Sequence, residues 1–263
     1  MAYESIRLEI DDGVAVLTFN RPEKRNAISH AMITEILQAL DEVEAGVARA
    51  LILTGAANAF CAGMDLQALK DFRAQSDAEI VADSRRIATL FRRLYGFPKP
   101  TVSAVNGPAI AGGCGLATLC DFTLAVPEAK FGYTEVRVGF IPALVSAYVV
   151  LQMGEKRARD LLLSGRIFSA AEAQAMGIVN ELLEPERLLP RARELGQQLA
   201  EMSPVALAHT KRLLLKFSEG DLDRETELAI EASARVRKTA DFQEGLAAFL
   251  EKRKPRWQGN NPS

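Results

Sequence analysis

The chain repeats one order of elements, strand then loop then helix, over the larger, N-terminal part of its length. Short apolar or β-branched runs at Ala50–Thr54, Thr101–Val105 and Phe122–Val126 predict buried strands. Ser76 with Glu79 fits a capping box that starts a helix between the first two of these strands. Parallel strands need a crossover, which a helix usually supplies, so this order predicts an α/β architecture with parallel pairing. Loops at the strand ends are then expected to hold the functional site.

The N-terminus adds a β-hairpin and a helix to this pattern. The alternating run Ile6–Ile10 leads through Asp12-Gly13 into the apolar run Val14–Phe19, which is typical of two strands joined by a tight turn. Ser29 can cap a helix whose apolar side chains recur at helical spacing. The order strand, strand, helix, strand therefore opens the fold.

The composition changes at Pro185, after which no strand signal occurs. Helices are predicted over 185–202, 204–217, 221–239 and 241–252, and Ser203-Pro204 supplies an N-cap followed by a first-turn proline. These helices carry more apolar residues than four helices can bury among themselves. We expect residues 185–263 to cover the preceding part of the chain, residues 1–184, or a neighbouring subunit.

Charge, cysteine usage and hydropathy exclude several classes of protein. The 263 residues are 48% hydrophobic and 25% charged, with a formal net charge of −2, which argues against bulk attraction to nucleic acid or to an anionic membrane. The three cysteines lack metal-type spacing, so neither a metal site nor a disulfide framework is expected. No apolar run reaches the length of a membrane span, and we see no signal peptide, so a cytoplasmic protein is expected.

A glycine-rich turn, Asn106 to Leu116, is the first candidate for chemistry. It joins the strand Thr101–Val105 to a small-residue helix predicted over Cys114–Leu119. Backbone N–H groups at such a helix start have no intrahelical acceptor, so they can hold an anion or a developing oxyanion. The alternative is a connection whose glycines only permit close packing. A second strand-closing loop, Gly63-Met64-Asp65, can supply another donor, and two donors are what a thioester carbonyl needs as it becomes enolate-like.

Seven motifs occur in a fixed order along the chain: Asn20-Arg21-Pro22 with Asn26-Ala27, Ala62-Gly63-x-Asp65, Asn106-Gly107-x-Ala109-x-x-Gly112-Gly113, Cys120-Asp121, Phe131-Gly132-x-x-Glu135 with Gly139 and Pro142, Ala173-x-x-x-Gly177-x-Val179, and Phe249-x-Glu251-Lys252-Arg253. In this combination the chain resembles the enoyl-CoA hydratase/isomerase, or crotonase, superfamily over nearly its whole length. The resemblance implies a spiral of ββα units over residues 1–184. It also implies a C-terminal helical segment that forms homotrimers or dimers of trimers.

The same resemblance assigns roles to individual residues. It implies an acyl-CoA thioester substrate, with no cofactor because coenzyme A is part of that substrate. The oxyanion donors are then the N–H groups of Met64 and Gly112. The CoA moiety is expected along residues of two loops, joined by two C-terminal residues that can reach it from a neighbouring subunit: Arg25, Ala27, Ala62, Asp65, Phe249 and Lys252.

One departure from the family pattern bears on the reaction. Hydratases of this family pair two glutamates on a water molecule; here the second is Glu135, but the first position is Gly115. A single carboxylate can shuttle a proton between two carbons, as in Δ3,Δ2-enoyl-CoA isomerases, or assist addition of water held by other groups. The stretch from Glu135 to Ser146 is similar to a branch that includes methylglutaconyl-CoA hydratases, which favours hydration. A binding or scaffold protein without turnover is the alternative from another class.

For most of the remaining candidate residues, a structural or non-catalytic role is expected. Arg137 is either a solvent-facing ion-pair partner or a recognition group for a second substrate carboxylate. Asp121 is expected to be structural, Cys114 a buried small residue, and His30 and His209 non-catalytic. Burial against apolar neighbours such as Leu116 and Ile141 is expected to raise the pKa of Glu135.

Overall fold

A computed structural model describes residues 3–66 and 75–259 of the chain. The termini of the two expected segments, residues 1–2 and 260–263, lie outside this description. The described residues form nine strands, Ile6–Asp11 (β1), Val14–Phe19 (β2), Ala50–Gly55 (β3), Thr101–Val105 (β4), Ala109–Ile110 (β5), Phe122–Ala125 (β6), Lys130–Gly132 (β7), Phe168–Ser169 (β8) and Glu181–Leu182 (β9). They also form ten α-helices, His30–Ala45 (α1), Asp77–Tyr95 (α2), Gly112–Thr118 (α3), Ala143–Met153 (α4), Glu155–Ser164 (α5), Ala170–Ala175 (α6), Pro185–Glu201 (α7), Pro204–Lys216 (α8), Glu219–Arg237 (α9) and Ala240–Leu250 (α10).

A six-stranded sheet in the order β1-β2-β3-β4-β6-β9 forms the centre of the fold. Strands β1 and β2 pair antiparallel, and every other neighbouring pair in this sheet is parallel. The hairpin turns on Asp12 at φ 45° and Gly13 at φ 74°, which suits the twist of the two strands. The predicted hairpin and the parallel α/β architecture are therefore confirmed.

A second, three-stranded sheet in the order β5-β7-β8 lies beside the first. Its strands have two or three residues each, which is too short to leave a periodic signal in the sequence. Strand β5 pairs parallel with β7, so Ala109 lies opposite Phe131. This small sheet joins the glycine-rich turn to the segment that carries Glu135.

Predicted helix starts agree with side-chain caps in the structure. Ser29 Oγ accepts from the Met32 N–H at 3.2 Å, and the Ser76 N–H donates to Glu79 Oε2 at 2.7 Å to close the capping box. Helix α3 begins at Gly112, two residues before the predicted Cys114, and has no side-chain cap. Its N-cap, Ala111, has φ 52° and ψ −126°, a conformation that propensity does not anticipate for a residue with a Cβ.

Helix α7, the first helix after the expected division at residue 185, packs into the main hydrophobic core. Leu188 and Ala192 of this helix belong to the main hydrophobic core, and Gly196 lies against Val14 and Ala50 of the central sheet. Helix α7 is therefore a layer of the core.

Helices α8 to α10 form the outer part of the C-terminal segment. Helix α9 packs on α2 and α4, and α10 packs on the short 3-10 turn Glu135–Val138. Helix α8 has no buried residue within the described chain, and Leu213, Leu214 and Phe217 at its end are 55%, 60% and 74% exposed. None of the described helices is long and apolar enough to cross a membrane.

Candidate active site

Three loops meet at one edge of the central sheet. Strands β2, β3 and β4 are parallel neighbours, so their carboxyl ends lie side by side and the loops after them emerge together. The Ala62 N–H donates to Arg25 O at 3.0 Å, and the Ile28 N–H donates to Gly63 O at 2.8 Å. The Ile110 N–H donates to Cys61 O at 2.9 Å. These bonds hold the three loops as one unit.

Two asparagines of the sequence motifs brace this unit. Asn106 Nδ2 donates to Gly55 O and to Ala57 O, both at 2.8 Å. Asn26, buried and at φ 56°, donates through Nδ2 to the carbonyls of Ala56 and Ala59 at 3.0 and 2.8 Å. Their amides replace backbone partners that irregular loops cannot offer, so both residues position the site.

The N–H groups of Met64 and Gly112 are the two donors that the sequence singled out. Neither donates to a backbone carbonyl within residues 3–66 and 75–259. Gly63, at φ 85°, lets the two loops approach: a Cβ built on it would stand 2.9 Å from Ala111 Cβ and 3.5 Å from the Gly112 nitrogen. The unusual backbone of Ala111 directly precedes Gly112, and strained residues of this kind cluster at functional sites.

Both donors border a cavity of about 300 Å³. Apolar side chains form most of its wall, which is lined by Arg25, Ile28, Ala62, Met64, Leu66, Ile87, Phe91, Ile110, Ala111, Gly112, Thr134, Glu135, Val138, Phe140, Ile141, Pro142, Ala143, Leu144, Val145, Arg237, Phe242 and Phe249. A deep apolar cavity with few polar groups is the usual form of a small-molecule site.

Glu135 is the only carboxylate on the described wall of this cavity. It begins the 3-10 turn after β7, and its Oε2 is buried without a hydrogen-bond partner in the described part of the chain. Burial raises the pKa of Glu135 to about 7, and a backbone hydrogen bond opposes this shift in part. A carboxyl group with this pKa can both accept and return a proton near neutral pH. Of its two expected neighbours, Ile141 lines the cavity, whereas Leu116 is buried in the main core.

Side chains of other elements occupy the space where a glutamate at position 115 would lie. A Cβ built on Gly115 would stand 2.6 Å from Val145 Cγ1 and 3.4 Å from Phe91 Cζ. Even an alanine at this position would require Val145 to move. Val145 and Phe91 therefore pack closely against Gly115.

The expected CoA-binding residues lie in the two loops and at the C-terminus. Arg25, Ala62 and Phe249 line the cavity, and Phe249 does so within its own chain. Arg21 connects two others: it donates to Ala27 O at 2.5 Å and to Asp65 Oδ2 at 3.0 Å.

Lys252 lies in the exposed segment after α10 and is not among the residues that line the cavity. Within a single chain, the structure therefore brings all the expected loop residues into one unit and adds Phe249 to the cavity wall. It leaves Lys252 outside that wall.

The remaining candidates fall outside the cavity. Arg137 is exposed and absent from the cavity wall, which favours the solvent-facing alternative. Asp121 accepts from the Thr101 N–H at 2.7 Å and pairs with Lys211, a structural role as expected. Cys114 is buried, and this burial raises the pKa of its thiol to about 12.

The two histidines also lie away from the cavity wall, with His30 against Asp83 and His209 exposed on α8. No group of three or more His, Cys, Asp or Glu residues among those described is arranged to hold a metal ion.

Several cavity residues were not predicted from the sequence. The sequence pattern indicates ordinary core positions for three phenylalanines, Phe91, Phe140 and Phe242. For Arg237 it indicates a charged residue on the surface of a helix. Arg237 is 5% exposed and lines the cavity. Its ion pair with Asp83, 154 positions away in the sequence, helps to account for that burial.

Comparison with known proteins agrees with this fold. The sequence profile of the enoyl-CoA hydratase/isomerase family matches residues 9–260. A Thermus thermophilus protein, whose name refers to enoyl-CoA hydratase, is 47% identical over 95% of this chain and 100% of its own. The crotonyl-CoA hydratase of Syntrophomonas wolfei is 35% identical over 97% of this chain and 98% of its own. The crystal structure of an enoyl-CoA hydratase/isomerase from Xanthobacter autotrophicus Py2 superposes with a TM-score of 0.88 at 30% identity, covering 100% of both chains.

The parallel sheet with its loop-built cavity and helical C-terminal region has the crotonase fold, and proteins of this class are enzymes that act on acyl-CoA thioesters. The chain belongs to the enoyl-CoA hydratase/isomerase family.

Proposed function

We propose that this enzyme adds water across the double bond of a 2-enoyl-CoA thioester. The observation that carries the proposal is one apolar cavity. Among the described residues, its wall holds two backbone N–H donors without backbone acceptors and a single carboxylate, Glu135, whose Oε2 is buried. The hydratase names of the relatives from Thermus thermophilus and Syntrophomonas wolfei support the same reaction.

The N–H groups of Met64 and Gly112 receive the thioester oxygen. When water adds to the β-carbon, electron density moves onto this oxygen, and an enolate forms. Donors that are already oriented stabilise that charge without reorganising, and losing one of them typically slows a reaction about 100- to 1,000-fold. Braced loops are therefore what the reaction requires.

Glu135 moves the proton. Its carboxylate accepts a proton from water as the oxygen bonds to the β-carbon, and the resulting carboxyl group returns a proton to the α-carbon as the enolate collapses. Both transfers use the same group, so the water must lie between the substrate and Glu135. A pKa of about 7 suits a group that alternates between the two states.

Hydration is tested by one spectroscopic assay. Purified protein is mixed with a 2-enoyl-CoA, and the loss of the conjugated thioester absorbance is followed while the mass of the product is measured. We expect a product heavier by one water. A protein that binds the thioester but produces no hydrated product would contradict the proposal.

A second candidate reaction is Δ3,Δ2-enoyl-CoA isomerisation. The observation in its favour is Gly115, because Val145 and Phe91 occupy the place where a second carboxylate would otherwise assist the water. Formation of the conjugated absorbance from a 3-enoyl-CoA would identify this activity. Absence of acyl-CoA binding by calorimetry would instead favour a protein without turnover.

We also propose that the enzyme works as a homotrimer or a dimer of trimers. Helix α8 has no buried residue in the described chain, and its end exposes Leu213, Leu214 and Phe217. Apolar surface of this extent on one helix is typical of a subunit contact. The methylglutaconyl-type branch and the cytoplasmic location stay predictions from the sequence.

A further inference from the structure

We propose that Arg237 selects the acyl group by receiving a carboxylate at the far end of the acyl chain. The preferred substrate would then be the CoA monothioester of an unsaturated dicarboxylic acid. This inference rests on the proposed hydration for the reaction itself. The choice of acyl group rests on separate observations.

The first observation is a buried cation in an apolar wall. Arg237 comes from the last turn of α9, and its side chain is 3% exposed. The charged residues on the described cavity wall are Arg25, Glu135 and Arg237. Arg25 is exposed on the loop assigned to CoA, and Glu135 is assigned to proton transfer. A guanidinium is almost never buried without anionic partners, and Asp83 is one such partner of Arg237.

The second observation is how Asp83 holds this guanidinium. Arg237 Nη1 donates to Asp83 Oδ2 at 2.6 Å, while Asp83 Oδ1 lies against His30 Nε2. Asp83 is therefore shared between two basic side chains. A guanidinium has five donors on more than one edge, so an aspartate on one edge is compatible with a second carboxylate on another.

The third observation is the direction in which the cavity runs along α2. Asp83, Ile87 and Phe91 follow each other at a spacing of four residues and so lie on one face of this helix. Phe91 stands beside the oxyanion donors, since a Cβ on Gly112 would be 3.7 Å from its ring. Ile87 lines the cavity one turn further on. Eight residues, about 12 Å of helix, separate Phe91 from Asp83.

Arg237 therefore lies at the end of the cavity away from the thioester oxygen. Its guanidinium stands 5.6 Å from the centre of the Phe140 ring, and Phe140 packs on Phe242 with ring centres 5.2 Å apart. These rings keep the surroundings apolar, which strengthens a charge–charge contact. A methyl group at the same place would leave the guanidinium against a group that accepts no hydrogen bond.

A purely structural role is the competing explanation. In that case Arg237 and Asp83 only tie α9 to α2, and the charge at the chain end of the substrate has no influence. Sites built to bond a polar substrate group reject an analogue that lacks it far more strongly than apolar sites reject a change in size. The two explanations therefore predict different ratios of kcat/KM for a substrate that ends in a carboxylate and one that ends in a methyl group.

The first test uses the unmodified enzyme. The value of kcat/KM is measured for 2,3-dehydroadipyl-CoA and for 2-hexenoyl-CoA, which have acyl chains of equal length ending in a carboxylate and a methyl group. We expect the carboxylated substrate to be preferred about 100-fold. Equal values, or a preference for the methyl group, would overturn the proposal.

The second test removes the cation while keeping the buried charge balanced. Arg237→Gln is combined with Asp83→Asn, so that no uncompensated carboxylate remains. The ratio of the two kcat/KM values is expected to fall to about one. Arg85→Gln is the matched control, because Arg85 joins the same two helices through Glu227 at 2.5 and 2.8 Å but faces solvent. The control should keep the ratio of the unmodified enzyme. If the double variant loses activity on both substrates in equal proportion, the role is structural and the proposal is wrong.

A binding experiment separates this inference from the proposed reaction. Adipyl-CoA and hexanoyl-CoA are saturated and cannot be hydrated, so calorimetry with them tests recognition alone. Tighter binding of adipyl-CoA by the unmodified enzyme, lost in the double variant, supports Arg237 even if neither unsaturated thioester is hydrated. Equal binding of the two saturated thioesters would refute the role of Arg237 even if hydration is observed.

Discussion

Replacing Glu135 by Gln is expected to slow turnover strongly and to stabilise the protein at and above neutral pH. Burial raises the pKa of this carboxyl group from 4.5 to about 7 in the folded chain. Each pKa unit corresponds to about 1.4 kcal/mol, so keeping the carboxylate ionised costs the folded state up to about 3 kcal/mol. Gln has nearly the same shape and is never ionised, so it removes this cost.

The sign of the pH dependence follows from the direction of the shift. Below about pH 4.5 the group is protonated in both the folded and the unfolded chain, and the two proteins should be equally stable. As the pH rises from about 4.5 to the folded pKa of about 7, the unfolded chain releases this proton before the folded chain does, so the unmodified protein loses stability relative to the variant. The difference is complete above that pH.

The assay is thermal unfolding of both proteins between pH 5 and pH 9. The gap in Tm should widen with pH to on the order of 5 to 10 °C in favour of the variant. Glu231→Gln, at an exposed position of α9, is the control and should show no such widening. Turnover by the variant should fall about 100- to 10,000-fold. A Tm gap that is independent of pH, or retained turnover, would refute the assignment of Glu135 as a buried acid and base.

Three further changes test the site and the assembly. Gly63→Ala places a Cβ on a residue at φ 85° and against the neighbouring loop, so one oxyanion donor should turn away and kcat should fall about 100-fold or more. An unchanged kcat in steady-state assays would contradict the assignment of this loop to the oxyanion hole. Gly115→Glu alone should lower the free energy of unfolding by about 1 to 3 kcal/mol in denaturant titrations, because Val145 Cγ1 lies 2.6 Å from the new Cβ. Adding Val145→Ala should restore most of this loss, and equal stability of the single variant and the unmodified chain would contradict the close packing of Val145 on Gly115. Leu214→Glu with Phe217→Glu, at positions 60% and 74% exposed in the single chain, should convert the oligomer to monomers in light scattering, and an unmodified protein that is already monomeric would refute the proposed trimer.

The sequence determines much of this molecule because many of its signals are local. A hairpin turn such as Asp12-Gly13 and a capping box such as that of Ser76 depend only on a few adjacent residues. Alternating and helical periodicities likewise reveal which face of an element is buried. The order of elements then limits the parallel topology, and the carboxyl ends of neighbouring strands bring two glycine loops together.

Three properties of the site were decided only by the tertiary structure. The pKa of Glu135 depends on how completely the cavity wall excludes water from it. The wall at Gly115 is closed by Val145, thirty positions later in the sequence. Arg237 enters the cavity because Asp83 of another helix holds it there. Each depends on contacts between segments far apart in sequence, for which neither spacing nor propensity provides a signal. The sequence alone therefore identifies the two glycine loops and Glu135 as the candidate site, whereas desolvation and long-range packing decide the pKa of Glu135 and which side chains form the cavity wall.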